Sequence, residues 1–321
     1  MGKEKNWTVV REFFLLGFQG SHCLRFFLYC FFLVVYLVTI CGNLLIIVLV
    51  STSRNLHTPM YFFISQLSIS DIFLTTTISP NMLNVLLTNG RAVTFTSCMT
   101  QLYFFCASEG FECFLLAVMS YDRYVAICYP LHYNSAMTSK RCVILAIVCW
   151  FLGLSAAFID TLMVLGLNFC GPHTIDHYFC DLDRLIQMTC SNMYNVQLEL
   201  SILSVPSVMI PTIIIITSYG RIVSLILKIP SSTGKQKAFS TCSSHLIVIS
   251  IFYWTMFIAY GFPTKKQSLP ISKILSLLYT VFTPLINPII YSLRNKDIEK
   301  AIKHSINKYM SRWLTGIIDK V

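Results

Sequence analysis

The sequence predicts an all-α membrane protein, a bundle of seven spanning helices with its N-terminus extracellular, and three observations carry that prediction. The 321 residues are 55% apolar and only 12% charged, against about 25% charged in an ordinary soluble domain. The apolar residues gather into seven runs, each of about 20 residues or more and so long enough to cross a hydrocarbon layer of roughly 30 Å. With the N-terminus outside, 15 of the 24 lysines and arginines fall on the cytoplasmic side and 9 on the other, which is the bias of the positive-inside rule. A mean hydropathy of +0.67 fits a chain whose solvent is lipid.

Residues 1–25 are expected to form an extracellular tail. They hold Lys3, Glu4, Lys5, Arg11, Glu12 and Arg25 around a short apolar patch from Phe13 to Phe18. The long apolar region and small-residue cleavage site of a signal peptide are missing, so the first span is expected to do the targeting itself. Asn6-Trp7-Thr8 is a glycosylation sequon, informative because this orientation puts the tail on the glycosylating side. The seven spans lie at about 26–50, 59–87, 98–124, 141–165, 198–227, 238–261 and 271–292, giving a transmembrane domain of 26–292. An odd number of spans leaves the C-terminus in the cytoplasm.

The loops are short except for the one from Gly166 to Gln197, which carries Cys170, Cys180 and Cys190, while Cys98 opens the third span on the same side. Four cysteines in an oxidising compartment allow three pairings, and spacing does not choose between them. The other nine cysteines lie in or beside the spans and read as small apolar packing residues. Within 293–321, the stretch Arg294 to His304 puts Ile298, Ala301 and Ile302 on one helical face. That pattern predicts a short amphipathic helix lying on the cytoplasmic surface.

The composition also sets aside several functions. A pI near 9.0 and a net charge of +10 have no domain-sized polar segment on which to build a nucleic-acid-binding face. Intramembrane enzymes need paired acids, metal ligands or a nucleophile with its base. Here His22, His57, His132, His173, His177, His245 and His304 are scattered, none of them inside a span beside an acid, so no enzyme is expected. Transporters commonly repeat broken helices in two halves, and no such symmetry is visible.

Asp71 and Glu112 are carboxylates deep in apolar helices. Such groups face the bundle interior and share a proton or a cation, because two bare charges in a dry site are very costly. Asp122 and Arg123 sit at a cytoplasmic helix end, where an arginine reaches the interface and pairs with its neighbour; an ordinary interfacial anchor would look the same. One face of the third span carries Phe105, Cys106, Glu109 and Glu112. The sixth span offers Phe252, Tyr253, Met256, Phe257 and Tyr260, the fifth Ser204 and Ser207, and the seventh Tyr279 and Thr280. An aromatic stripe serves helix packing as readily as a pocket.

Several strings then stand out together. They are Gly42-Asn43; Pro59-Met60-Tyr61-Phe62-Phe63 with Leu67-Ser68 and Asp71; and the run from Met119 through Cys128 that includes Asp122-Arg123-Tyr124. Later come Ser218-Tyr219, the ten residues Lys237 to Leu246, and Pro284 to Tyr291. In this order, over about residues 26–305, the sequence resembles the vertebrate odorant receptors within the rhodopsin-like (class A) G-protein-coupled receptors. The resemblance implies a small volatile odorant bound inside the bundle and a stimulatory olfactory-type G protein activated to raise cAMP. It implies the plasma membrane, in the cilia of olfactory sensory neurons; a chemosensory receptor outside olfaction is the alternative. Ligand-site candidates become Phe105, Cys106, Glu109, Gly110, Ser204, Ser207, Tyr253, Phe257, Tyr260 and Tyr279. The coupling switch becomes Asp122, Arg123, Tyr124, Tyr219, Asn287, Pro288 and Tyr291, with Arg123 held at rest and released towards the G protein. Pro288 would interrupt the last span and leave carbonyls for a partner such as Asn287. The same resemblance implies disulfides Cys98–Cys180 and Cys170–Cys190, and a sodium ion at Asp71 and Glu112 as the one cofactor. Glu109 and the bulky Phe111 depart from the small or neutral residues usual there; Glu109 reads as a counter-ion for a basic odorant, a protonated donor, or an incidental substitution.

Overall fold

In the computed structural model the described residues are 10–170, 173–190, 193–260, 269–295, 297–304 and 307. The sequon at Asn6 and the side chains of Ser204 and Tyr260 lie outside the described residues. The spans are α1 (His22–Thr52), α2 (Pro59–Thr88), α3 (Phe95–Cys128), α5 (Ser139–Leu165), α7 (Met193–Lys228) and α8 (Ser232–Tyr260). The seventh begins as α9 (Leu269–Leu277), passes through a π-helical turn at Leu278–Phe282 and ends as α10 (Thr283–Arg294). Two short helices sit in the loops, α4 (Tyr133–Ala136) after the third span and α6 (Leu182–Gln187) in the long outer loop.

Helix ends follow local chemistry more than hydropathy. Ser21, Thr94 and Thr138 each accept a hydrogen bond from a first-turn amide, at Leu24, Ser97 and Arg141, which is N-capping. α3 therefore starts at Phe95 and runs to Cys128, several residues beyond the apolar run at 98–124. Apolar length marks only the part inside hydrocarbon, whereas the helix continues until a cap or turn stops it. At the far end of α2, Asn89 takes a left-handed conformation (φ 57°) and Gly90 follows at φ 106°, a common way for a helix to stop.

The outer end contains an element that the hydropathy pattern hides. Strand β1 (Glu12–Leu15), in the N-terminal tail, pairs antiparallel with β2 (Arg91–Thr94) before α3 and parallel with β3 (Thr174–Ile175) in the long loop. Among the described residues before the first span, β1 is the middle strand of a three-stranded cap, and α1 starts at His22. Its alternation sends Phe13 and Leu15 inward, fully buried, among Val85, Val93, Cys98 and Leu102.

α3 is the central helix, with 67% of its apolar window buried inside protein against 28% for α1. Its approach to α5 depends on glycine. A Cβ at Gly153 would sit 2.7 Å from the Phe111 nitrogen and 2.8 Å from the Ala107 carbonyl oxygen, so only glycine lets the backbones close. At the cytoplasmic end, residues 297–304 are helical and Ile298 is buried, packing with Ala301 and Ile302 on the lower core. Tyr61 donates its hydroxyl to Asn295 (2.9 Å) and Asp297 (3.0 Å), tying this helix to α2.

Candidate functional site

The site has three levels stacked along the inner face of α3. The uppermost is a lid made by the long outer loop. Cys98–Cys180 and Cys170–Cys190 are joined, each with Cα atoms 5.5 Å apart, and these are the two pairs implied by the family resemblance. Gln101 reinforces the first, accepting from the Cys180 amide at 3.0 Å and donating to the Thr77 carbonyl at 3.0 Å. Tyr178 and Phe179 turn fully inward; the Tyr178 hydroxyl shares a hydrogen bond with Thr280 at 3.0 Å. On the outer rim Lys273 donates to the Gly17 carbonyl (2.7 Å) and pairs with Asp176 (2.5 Å), while Arg184 donates to Ser272. His177 is buried beneath them. Burial first, then the neighbouring Arg184 and Lys273 charges, hold its imidazole well below the ordinary histidine range.

The second level is the expected ligand site. Phe105 is buried, with its ring centroid 5.2 Å from Phe179 and 6.0 Å from Tyr279. Tyr279 lies in the π-helical turn, a device that re-aims side chains locally, and its hydroxyl donates to Ser276 at 3.1 Å. Cys106 is half-buried beside the same packing, and Glu109 below it is 7% exposed with one carboxyl oxygen lacking a protein partner. Ser207 is half-buried on the fifth span. Tyr253 reaches lower than the others, sharing a hydrogen bond with Cys113 at 3.3 Å.

Two expectations are corrected here. Gly110 faces the fourth span: a Cβ there would lie 3.2 Å from the Gly153 Cα, so it permits helix contact and does not line a pocket. Phe257 is 55% exposed with its ring edge-on to the exposed Trp254, which turns it outward. In a lipid-solvated bundle both the inside and the outside of a helix are apolar, so an aromatic stripe does not say which way it faces.

The third level is polar and buried. Glu112 is 2% exposed and Asp71 is fully buried, with Asn287 donating to both Asp71 oxygens at 3.1 and 3.2 Å. Asn43 donates to the Pro284 carbonyl at 3.1 Å, binding the first span to the last where Pro288 interrupts its amides. Around the acids, buried oxygens of Asn43, Ser70, Thr75 and Glu112 lack a protein partner. An all-oxygen donor set of this kind suits a hard cation.

At the cytoplasmic end, Arg123 pairs with Asp122 through Nη2 (2.5 Å) and Nε (3.0 Å), and Tyr133 of α4 donates to the other Asp122 oxygen at 2.8 Å. Tyr219 shares a 2.6 Å hydrogen bond with His245, joining α7 to α8. Tyr291 is buried with its hydroxyl unpartnered. Tyr124 turns instead to Tyr129, ring centroids 5.7 Å apart. Tyr133 and His245 were missed as functional candidates, although His245 stands in the ten-residue run that enters the sixth span.

A family model described as Olfactory receptor matches residues 32–309. The chain belongs to the olfactory receptor family. Olfactory receptor 11L1 of Homo sapiens is 45% identical to it over 299 residues, covering 93% of each chain. Olfactory receptor 1G1 of Gorilla gorilla gorilla is 44% identical over 302 residues, covering 94% of this chain and 96% of the relative. The crystal structure of squid rhodopsin superposes with a TM-score of 0.69 at 17% identity, covering 91% of this chain and 88% of that one. The olfactory receptor thus has the rhodopsin-like fold, a multi-pass membrane chain with receptor rather than enzyme relatives.

Proposed function

We propose that this receptor binds a small volatile organic molecule between Phe105, Cys106, Glu109, Ser207 and Tyr279, beneath the Tyr178–Phe179 lid, and passes the change to a stimulatory olfactory-type G protein that raises cAMP. The cell membrane would be that of olfactory cilia. The observation that carries the reading is the buried polar column shared by α3, α2 and α10, from Glu109 through Glu112, Asp71 and Asn287 to Tyr291. Buried polar groups are costly in an apolar bundle unless they serve each other or a function. Several oxygens of this column lack protein partners.

A ligand pressing on Phe105 or Tyr279 would shift the third span against the seventh. At rest Asp122 holds Arg123, Tyr133 holds Asp122, and Tyr219 holds His245. Separating α7 and α8 from α3 would free Arg123 for the G protein. Asp71 and Glu112, with Ser70, would hold a sodium ion that fixes the resting arrangement of the column. When bound, the ion would supply the positive charge that two buried carboxylates need.

The test is the cAMP response to an odorant panel in cells supplied with the olfactory G protein, run beside Arg123→Ala. Arg123 lies about 16 Å along the helix from Glu112 at 1.5 Å per residue, so the substitution should lose signalling while surface expression and ligand occupancy stay largely intact. Lost ligand binding with normal coupling would refute the assigned role. Failure of every panel member to raise cAMP would refute the coupling.

A further inference from the structure

A groove at the cytoplasmic ends of the first, second and fourth spans is used neither by the ligand site nor by the switch. It is a cavity of about 480 Å³, within the range of roughly 300–1,000 Å³ typical of small-molecule sites. Its wall is apolar, built by Ile47, Val50, Leu56, Phe62 and Val143. Val143 is 45% exposed on the outer face of α5, so the groove opens sideways to lipid.

The cytoplasmic mouth differs from the wall, because its charge has one sign. His57 and Ser139 line it, and the exposed Arg54 and Lys140 stand beside them in the chain. From Ile47 to Ser65 and from Pro130 to Val143 there is no aspartate or glutamate, and the acid of the adjoining third span, Asp122, is engaged by Arg123 and Tyr133. Two helices also begin at this mouth. α2 starts after Thr58, whose side chain caps no amide, and α5 starts at Ser139; both residues line the groove. Pro59 opens α2 without an N–H and Thr138 caps the Arg141 amide of α5, so what these helix starts bring to the mouth is chiefly the positive end of the macrodipole.

An apolar slot open to lipid, ending in cations and helix starts at the leaflet surface, matches an amphiphile with an anionic head. A sterol would leave the charge unanswered, and a choline headgroup would bring a cation to a cationic mouth. We propose that this groove binds an anionic glycerophospholipid of the cytoplasmic leaflet, its phosphate held by Arg54, His57 and Lys140 and an acyl chain lying along Ile47, Phe62 and Val143. The site does not depend on which odorant the receptor takes.

The experiment uses the full-length receptor in nanodiscs of phosphatidylcholine and phosphatidylserine in equal parts, with retained lipids counted by native mass spectrometry. The expected result is retention of phosphatidylserine over phosphatidylcholine by roughly 30-fold, the scale of two basic side chains acting at a membrane surface. The double variant Arg54→Gln/Lys140→Gln should bring the ratio close to one. Val143→Trp, which fills the slot from its lipid side and leaves the cations, should lower the number of lipids retained. Equal retention of the two lipids by the wild-type receptor would overturn the proposal without recourse to any variant. So would a preference that survives both variants, or replacement of phosphatidylserine by cholesterol when the sterol is added.

Discussion

Glu109 and His177 are two buried ionisable side chains with opposite consequences. Glu109 keeps one carboxyl oxygen unpartnered, directly below the expected ligand. A desolvated carboxylate beside a cationic ligand contributes a few kcal/mol, whereas a neutral acid donating one hydrogen bond contributes about 1 kcal/mol. Glu109→Gln keeps size and hydrogen bonding but removes the charge. It should therefore weaken responses to amines by about 100-fold and change those to alcohols and aldehydes by less than about fivefold; superimposable dose-response curves across all three classes would remove Glu109 from recognition. His177 is held neutral by burial and by Arg184 and Lys273, with Asp176 as the acid next to it in the chain. Its folded value lies below its unfolded one, near 6.5, so in that interval the unfolded chain binds more protons than the folded one. The lid should therefore lose stability as pH falls below about 6.5, by at most ~1.4 kcal/mol per pH unit. Thermal unfolding at pH 7 and pH 5 checks this, and His177→Gln should reduce the difference; an unchanged difference would show that His177 does not contribute.

Single helices and short turns decide how Asp122 and Arg123 are held. The one-turn helix α4 carries no apolar periodicity, yet it places Tyr133 where its hydroxyl reaches Asp122 at 2.8 Å. Burial and the Asp122 carboxylate both raise the Tyr133 phenol above its usual range, so it remains a hydrogen-bond donor at physiological pH. A hydrogen bond to a charged group contributes about 1.5–3 kcal/mol. Tyr133→Phe should consequently loosen Asp122 and raise ligand-free cAMP by about tenfold at constant surface expression; unchanged basal signalling would mean that Asp122 holds Arg123 without this help. The spans themselves were legible because twenty apolar residues in a row have few other uses. α4 was not, because four residues such as Tyr133–Ala136 contain no period to read. Likewise the facing of Gly110 and Phe257 could not be read from one helix, since it depends on where the neighbouring helices pack.

Across the whole molecule, the outer end is closed by contacts between distant segments. Lys273 of the seventh span joins Gly17, 256 residues away, to Asp176 of the long loop, and β1 lies between β2 and β3. Lys273→Met should release this clasp at a cost of about 1–3 kcal/mol, visible as faster amide exchange at Leu16 and Gly17, whose nitrogens donate to Ile175 and His177. Unaltered exchange there would show that the strands close the cap without the lysine. The sequence by itself determined the seven spans, their orientation, the family and the acids of the inner face, because hydropathy, charge bias and contiguous motifs are written locally along the chain. Only the tertiary structure decided that Glu12–Leu15 of the N-terminal tail form a strand, that Gly110 serves the fourth span, that Phe257 looks outward, and that Tyr133 meets Asp122 and His245 meets Tyr219. Those outcomes depend on pairing between segments far apart in sequence, in a bundle whose apolar inside and lipid-facing outside leave no difference in polarity to mark a side chain's direction.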